Sequence, residues 1–87
     1  MYFPPFGGID LKYGDKNESV ETLKAAMNVI FENYPMCSLL TLSWDFDDDM
    51  EKAVRKIQQT VGLNENGVVD VYTWSAVFAL YNLISIS

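Results

Sequence analysis

Asp45, Asp47, Asp48, Asp49 and Glu51 place five carboxylates within seven residues. The alternation Asp45-x-Asp47-x-Asp49 starts like a calcium-binding loop. Such a loop needs glycine at its sixth position and a bidentate glutamate at its twelfth, where this chain has Met50 and Lys56. Asp47 and Glu51, one helical turn apart, have the composition of a glycosidase acid pair. That chemistry also needs a cleft deep enough for several sugar rings, and 87 residues leave little room for one. Helix capping is the favoured use, because a short carboxylate accepts the orphan amides of a first turn and suits the helix dipole. Capping is the role expected here, with no dedicated metal site and no cofactor; a weak, opportunistic divalent-ion site is the alternative.

Two tryptophans, Trp44 and Trp74, have the flat faces that stack on sugar rings. Trp74 falls on an apolar helical stripe, so core packing is expected of it. Trp44 lies in a loop and is either a plug over the core or an exposed contact residue. Among the tyrosines, Tyr81 has core spacing, whereas Tyr72 in a first helical turn is the better surface candidate. Cys37 is the only cysteine and histidine is absent. No intrachain disulfide, zinc site or Cys/His nucleophile pair can form, and Cys37 is expected to pack as a small apolar residue. No enzyme is expected.

One domain is expected from 87 residues that are 49% hydrophobic and 14% aromatic, near the lower size at which one core sustains a fold. A net charge of −6 with only six basic residues argues against nucleic acid, since phosphate binding needs clustered Lys and Arg. Lys52, Arg55 and Lys56 read as a solvent face on an acid-capped helix. No segment reaches membrane-spanning length, and Met1 to Phe6 lacks the pattern of a signal peptide. A cell-wall or extracellular location is expected if the chain belongs to a larger secreted protein, and a cytoplasmic one if it is complete. The sequence leaves the oligomeric state open.

The elements that must position these residues are three helices. Residues 1–16, rich in Gly and Pro, read as an N-terminal arm pinned by Tyr2, Phe3 and Phe6; residues 17–87 form the helical domain. Asn17 caps a first helix over 18–34, with Val20, Leu23, Met27, Ile30 and Tyr34 at helical spacing, and Pro35 ends it. Residues 36–46 are a long loop with weak strand character. A second helix over 47–61 turns Met50, Ala53, Val54, Ile57 and Val61 inward and ends at Gly62 in a left-handed cap. Asn66-Gly67 turns, Val68-Val69 extends, and Asp70 caps a third helix over 71–84, with Trp74, Val77, Phe78, Tyr81 and Ile84 on one stripe. The last two helices begin alike: Phe46-Asp47, Met50 and Ala53-Val54 recur as Val69-Asp70, Thr73 and Ala76-Val77 at an offset of 23 residues. Two similar hooks therefore feed two helices.

In order and spacing these parts resemble the peptidoglycan-binding domain found beside cell-wall hydrolases. Leu11-Lys12-Tyr13-Gly14 with Val20-Glu21-Thr22-Leu23 matches the family opening, and Asn28 falls where members carry a helical Leu-Asn pair. Ala53, Val54, Ile57 and Gln58 match Ala-Val-x-x-Phe-Gln; Gly62-Leu63, Gly67-Val68-Val69 and Thr73-Trp74 follow on schedule. The likeness spans residues 11–81. It breaks at both hooks: Ser43-Trp44-Asp45-Phe46-Asp47 stands where the family has Asp-Gly-x-Phe-Gly, and Asp70-Val71 replaces Gly-Pro.

The resemblance implies an all-α, three-helix bundle of that type, acting as a non-catalytic module that docks to bacterial cell-wall peptidoglycan and localises a partner activity. It implies a groove bordered by the hooks and lined by Trp44, Asp45, Phe46, Asp70 and Tyr72. The aspartates add charge where family glycines leave backbone open, and murein stem peptides carry carboxylates. The alternative is a protein-interaction module that keeps the fold without binding murein.

Overall fold

The computed structural model describes residues 5–85. Three helices appear in chain order: α1 Glu18–Asn33, α2 Asp48–Val61 and α3 Val71–Ser85. The all-α fold read from the sequence is the fold observed, each helix lying within a residue or two of its expected bounds. Tyr2 and Phe3, expected to pin the arm, lie outside the described residues.

Each boundary has a local cause. Asn17 caps α1 by accepting from the Val20 amide at 3.1 Å. Gly62 ends α2 at φ +81, a left-handed conformation in which a Cβ would crowd the backbone, and Leu63 N then donates to Gln58 O at 2.8 Å. Pro35 follows the α1 C-cap Tyr34, as helix-breaking geometry requires.

α3 packs against both α1 and α2. Val20, Leu23, Met27 and Ile30 of α1 meet Met50, Ala53, Val54 and Ile57 of α2 and Trp74, Val77 and Phe78 of α3 in one buried cluster. Aromatic rings extend that cluster: Phe6, Trp74, Phe78 and Tyr81 follow one another at centroid separations of 5.8, 5.0 and 6.1 Å. Val61 departs from expectation and is 37% exposed. It is the last residue of α2, and the chain turns back from Gly62 toward Gln58 instead of covering it.

The loop over 34–47 is held near its middle by the side chain of Asn28. Asn28 donates from Nδ2 to the Leu40 carbonyl at 2.9 Å and accepts the Leu40 amide at 2.7 Å. This pair of bonds imitates one rung of a β-ladder and buries Leu40.

Candidate functional site

The two hooks repeat at the level of atoms. Asp47 Oδ1 accepts from Met50 N, and Asp70 Oδ1 from Thr73 N, each at 2.9 Å. The Asp47 carbonyl takes the Glu51 amide at 3.0 Å, and the Asp70 carbonyl takes the Trp74 amide at 2.9 Å. Phe46 and Val69, which precede the two caps, are both buried. The 23-residue half-repeat is therefore a repeated capped entry into a helix, and capping is the use the chain makes of these two aspartates.

One segment ties the hooks together. Leu11 and Val69 exchange both backbone hydrogen bonds, at 3.0 and 2.8 Å, in an antiparallel bridge. Farther along the same segment, Gly14 N donates to Phe46 O, Phe46 N to Asp15 O and Asn17 N to Trp44 O, at 2.9 to 3.1 Å. Lys16 pairs with Asp45 in a second antiparallel bridge, and their side chains form an exposed ion pair at 3.7 Å. Only two residues separate Leu11 from Gly14, so the points at which the two hooks attach lie within about 11 Å of each other along this segment. A surface depression of about 330 Å³ runs beside it, walled by Phe6 and Trp74, with Leu11, Asp15 and Asn17 among its lining.

The residues expected at the site are placed unequally. Trp44 is 49% exposed and Tyr72 71% exposed, so both present rings to solvent. Asp45 is exposed and paired with Lys16. Asp70 is half-buried and occupied by its capping bond. Phe46 has a buried ring and both of its backbone polar groups paired, so it supports the hook from below and offers no surface. Of the two readings of Trp44, the exposed one fits; Trp74 lies in the core.

Two polar residues in the core organise these hooks without having been singled out as doing so by sequence. Gln58 is 1% exposed and has four partners within hydrogen-bond distance. Its Nε2, with two hydrogens, has three acceptors within range, Asn66 Oδ1, Val68 O and Thr73 Oγ1, at 3.0 to 3.1 Å, and its Oε1 accepts from Gly67 N at 3.0 Å. The second hook is thus built around one amide. Lys24 is fully buried, with Nζ 3.0 Å from Ser43 Oγ and 3.5 Å from Asp47 Oδ2. Its signal in the sequence is position: residue 24 follows Val20 by four and precedes Met27 by three, within the apolar stripe of α1.

Gly67 at φ +75 has a second constraint, since a Cβ there would sit 3.0 Å from Glu51 Cγ and 3.1 Å from Arg55 Nε. Gly67→Ala is expected to lower stability by about 1–2 kcal/mol, mainly from the left-handed backbone, because the two side chains can shift. Urea unfolding would measure it.

Among the described residues no three Cys, Asp or Glu side chains gather as metal ligands. None of the helices described is long and apolar enough to cross a membrane. Burial pushes the Cys37 thiol pKa up, while the Lys56 ammonium pulls it the other way. Cys37 lies in a second depression of about 300 Å³ with Leu39, Leu40, Asp49 and Lys52. Iodoacetamide near neutral pH should alkylate it more slowly than it alkylates a free model thiol, and the rate should climb as pH rises above the ordinary thiol range. Alkylation at or above the model rate near pH 7 would contradict a protonated, half-buried thiol.

Three short helices, with the second and third entered through paired and capped hooks, define a small all-α domain class. The family model described as "Putative peptidoglycan binding domain" matches residues 31–77, which is 47 of the 87 residues. The chain belongs to that family. No curated protein and no solved structure matches it significantly. Both hooks, Gln58, Gly67 and Thr73 fall within the matched residues, so the family motif in this chain coincides with the hydrogen bonds that shape the second hook.

Proposed function

We propose that this domain is a non-catalytic module that docks to bacterial cell-wall peptidoglycan and localises a partner activity. The observation that carries the reading is the family match over 31–77, which contains both hooks, joined here by one paired segment. A family of binding domains, with its hooks intact as backbone structures, supports a docking role over a chemical one.

The ligand surface we assign comprises Trp44 and Asp45 on the first hook and Asp70 and Tyr72 on the second, with Phe46 beneath as support. Trp44 and Tyr72 supply exposed flat faces suited to a sugar ring or a peptide backbone. The aspartates do not abolish such a surface: Asp47 is engaged by its cap and by Lys24, Asp70 by its cap, and Asp45 by Lys16. A net charge of −6 still repels murein carboxylates at long range, and this repulsion is screened by salt.

Trp44→Ala should lower the affinity for purified sacculi roughly tenfold, the loss typical of truncating an aromatic anchor. Asp70→Gly, which restores the family residue, should leave retention unchanged or improve it. Unchanged retention in Trp44→Ala would move the site away from the first hook.

A further inference from the structure

Among the described residues, Lys24 stands apart from the other charged side chains. Its side chain is fully buried in α1, yet its ammonium ends at the surface hook that carries Trp44 and Asp45. The contacts of that ammonium span the hook. At one end Ser43 Oγ lies 3.0 Å from Nζ and also accepts the Asp45 amide at 3.3 Å. At the other end Asp47 Oδ2 lies 3.5 Å from Nζ, while Asp47 Oδ1 caps α2. Residues 44–46 run between these two points, and their backbone is also paired with Gly14, Asp15 and Asn17 on the other side.

Burial of an ammonium is unfavourable unless it is paired, and an apolar side chain of similar volume often serves stability as well or better. Simple filling of the core would therefore be met by methionine. What the ammonium adds is directional: three donors on a stem fixed by the core, aimed at two oxygens of a loop that has no strand partner at those side chains. Asp47 occupies the place of a hook glycine, and its carboxylate exists within reach of this cation. The second hook has no such arrangement. There Asp70 makes its capping bond, and Gln58 does the fastening to Thr73 and Gly67.

We propose that Lys24 is a positioning residue for ligand recognition: through Ser43 and Asp47 it anchors the two ends of a hook whose middle is paired with residues 14–17, and so sets how Trp44 is presented. This inference rests on the wall-binding reading for its functional half, while its structural half can be tested without a ligand.

Lys24→Met is the test, since methionine fills the buried stem and the released Asp47 is already 44% exposed and open to hydration. Amide hydrogen exchange should become at least roughly tenfold faster at Asp45 and Phe46, while core amides such as Val54 and Val77 stay within about threefold of the parent. Binding to sacculi should weaken about fivefold or more with the helical content unchanged. Asp47→Asn, which keeps a capping oxygen and removes the charge, should move the same two amides in the same direction and provides the reading if Lys24→Met does not fold; Ser43→Ala, which itself frees the Asp45 amide, is read at Phe46 alone. Exchange at Asp45 and Phe46 that matches the parent, or that rises only in step with the core, would overturn the proposal. Loosened amides with undiminished sacculi binding would overturn it too. Failure of the parent protein to bind sacculi would remove the wall-binding reading, and the exchange pattern would still decide whether Lys24 fixes the hook.

Discussion

Gln58→Leu is expected to destabilise the domain by about 3–5 kcal/mol, although leucine nearly matches glutamine in volume. The loss would come from stranded partners and not from a cavity. Gly67 N and Thr73 Oγ1 are buried against the Gln58 amide, and Val68 O shares the same nitrogen. A buried donor or acceptor deprived of its partner costs about 1–3 kcal/mol. Asn66 Oδ1 loses less, because it also accepts the Val68 amide at 2.9 Å. Domains of this kind have only about 5–15 kcal/mol in total, so the change would consume a large share of the stability. Thermal unfolding by circular dichroism would measure it; a shift of only a degree or two would mean that the hook closes without Gln58.

The second large effect is an asymmetry between two similar substitutions. Asp47→Gly and Asp70→Gly both restore the residue the family carries at a hook, and both remove one capping bond. Glycine is a tolerable N-cap, so Asp70→Gly should cost only a few tenths of a kcal/mol. Asp47→Gly also leaves the fully buried Lys24 ammonium with Ser43 Oγ alone. Breaking a fully buried ion pair from one side costs about 3–5 kcal/mol, and the exposure of Asp47 brings the expected loss nearer 2–3 kcal/mol. For a chain of this size that is a melting-temperature drop on the order of 10–20 °C. Lys24→Met introduced together with Asp47→Gly should restore most of it. Equal stability of the two single glycine variants would show that Lys24 does not depend on Asp47.

The sequence made the helix starts and stops legible because they are local. Asn17, Asp47 and Asp70 each answer an amide three residues ahead, and Gly62 and Gly67 each supply a backbone conformation their own positions require. The 23-residue echo was legible for the same reason. The polar contacts that shape the hooks were not, because they join residues far apart along the chain. Lys24 reaches 19 and 23 residues ahead to Ser43 and Asp47, Asn28 reaches 12 ahead to Leu40, and Gln58 reaches 15 ahead to Thr73. Such pairs leave no period in a sequence. Lys24 was further masked by residue type, since lysine is almost never fully buried. Phe46 shows the reverse case: placed in the groove lining by the resemblance, it has its ring buried in the core cluster.

These polar contacts bear on how the hook aspartates should be understood. As free charges they would oppose an anionic wall polymer. As caps, with Asp47 also paired to Lys24, they chiefly hold hook geometry, and the residual repulsion is long-range and screened.

Retention of the purified domain on cell-wall sacculi, measured at about 10 mM and about 150 mM salt, tests the central claim most directly. The domain should be retained at both, more strongly at the higher salt as repulsion between carboxylates is screened, and Trp44→Ala should reduce retention in each. No retention of the folded domain at either salt would contradict the account.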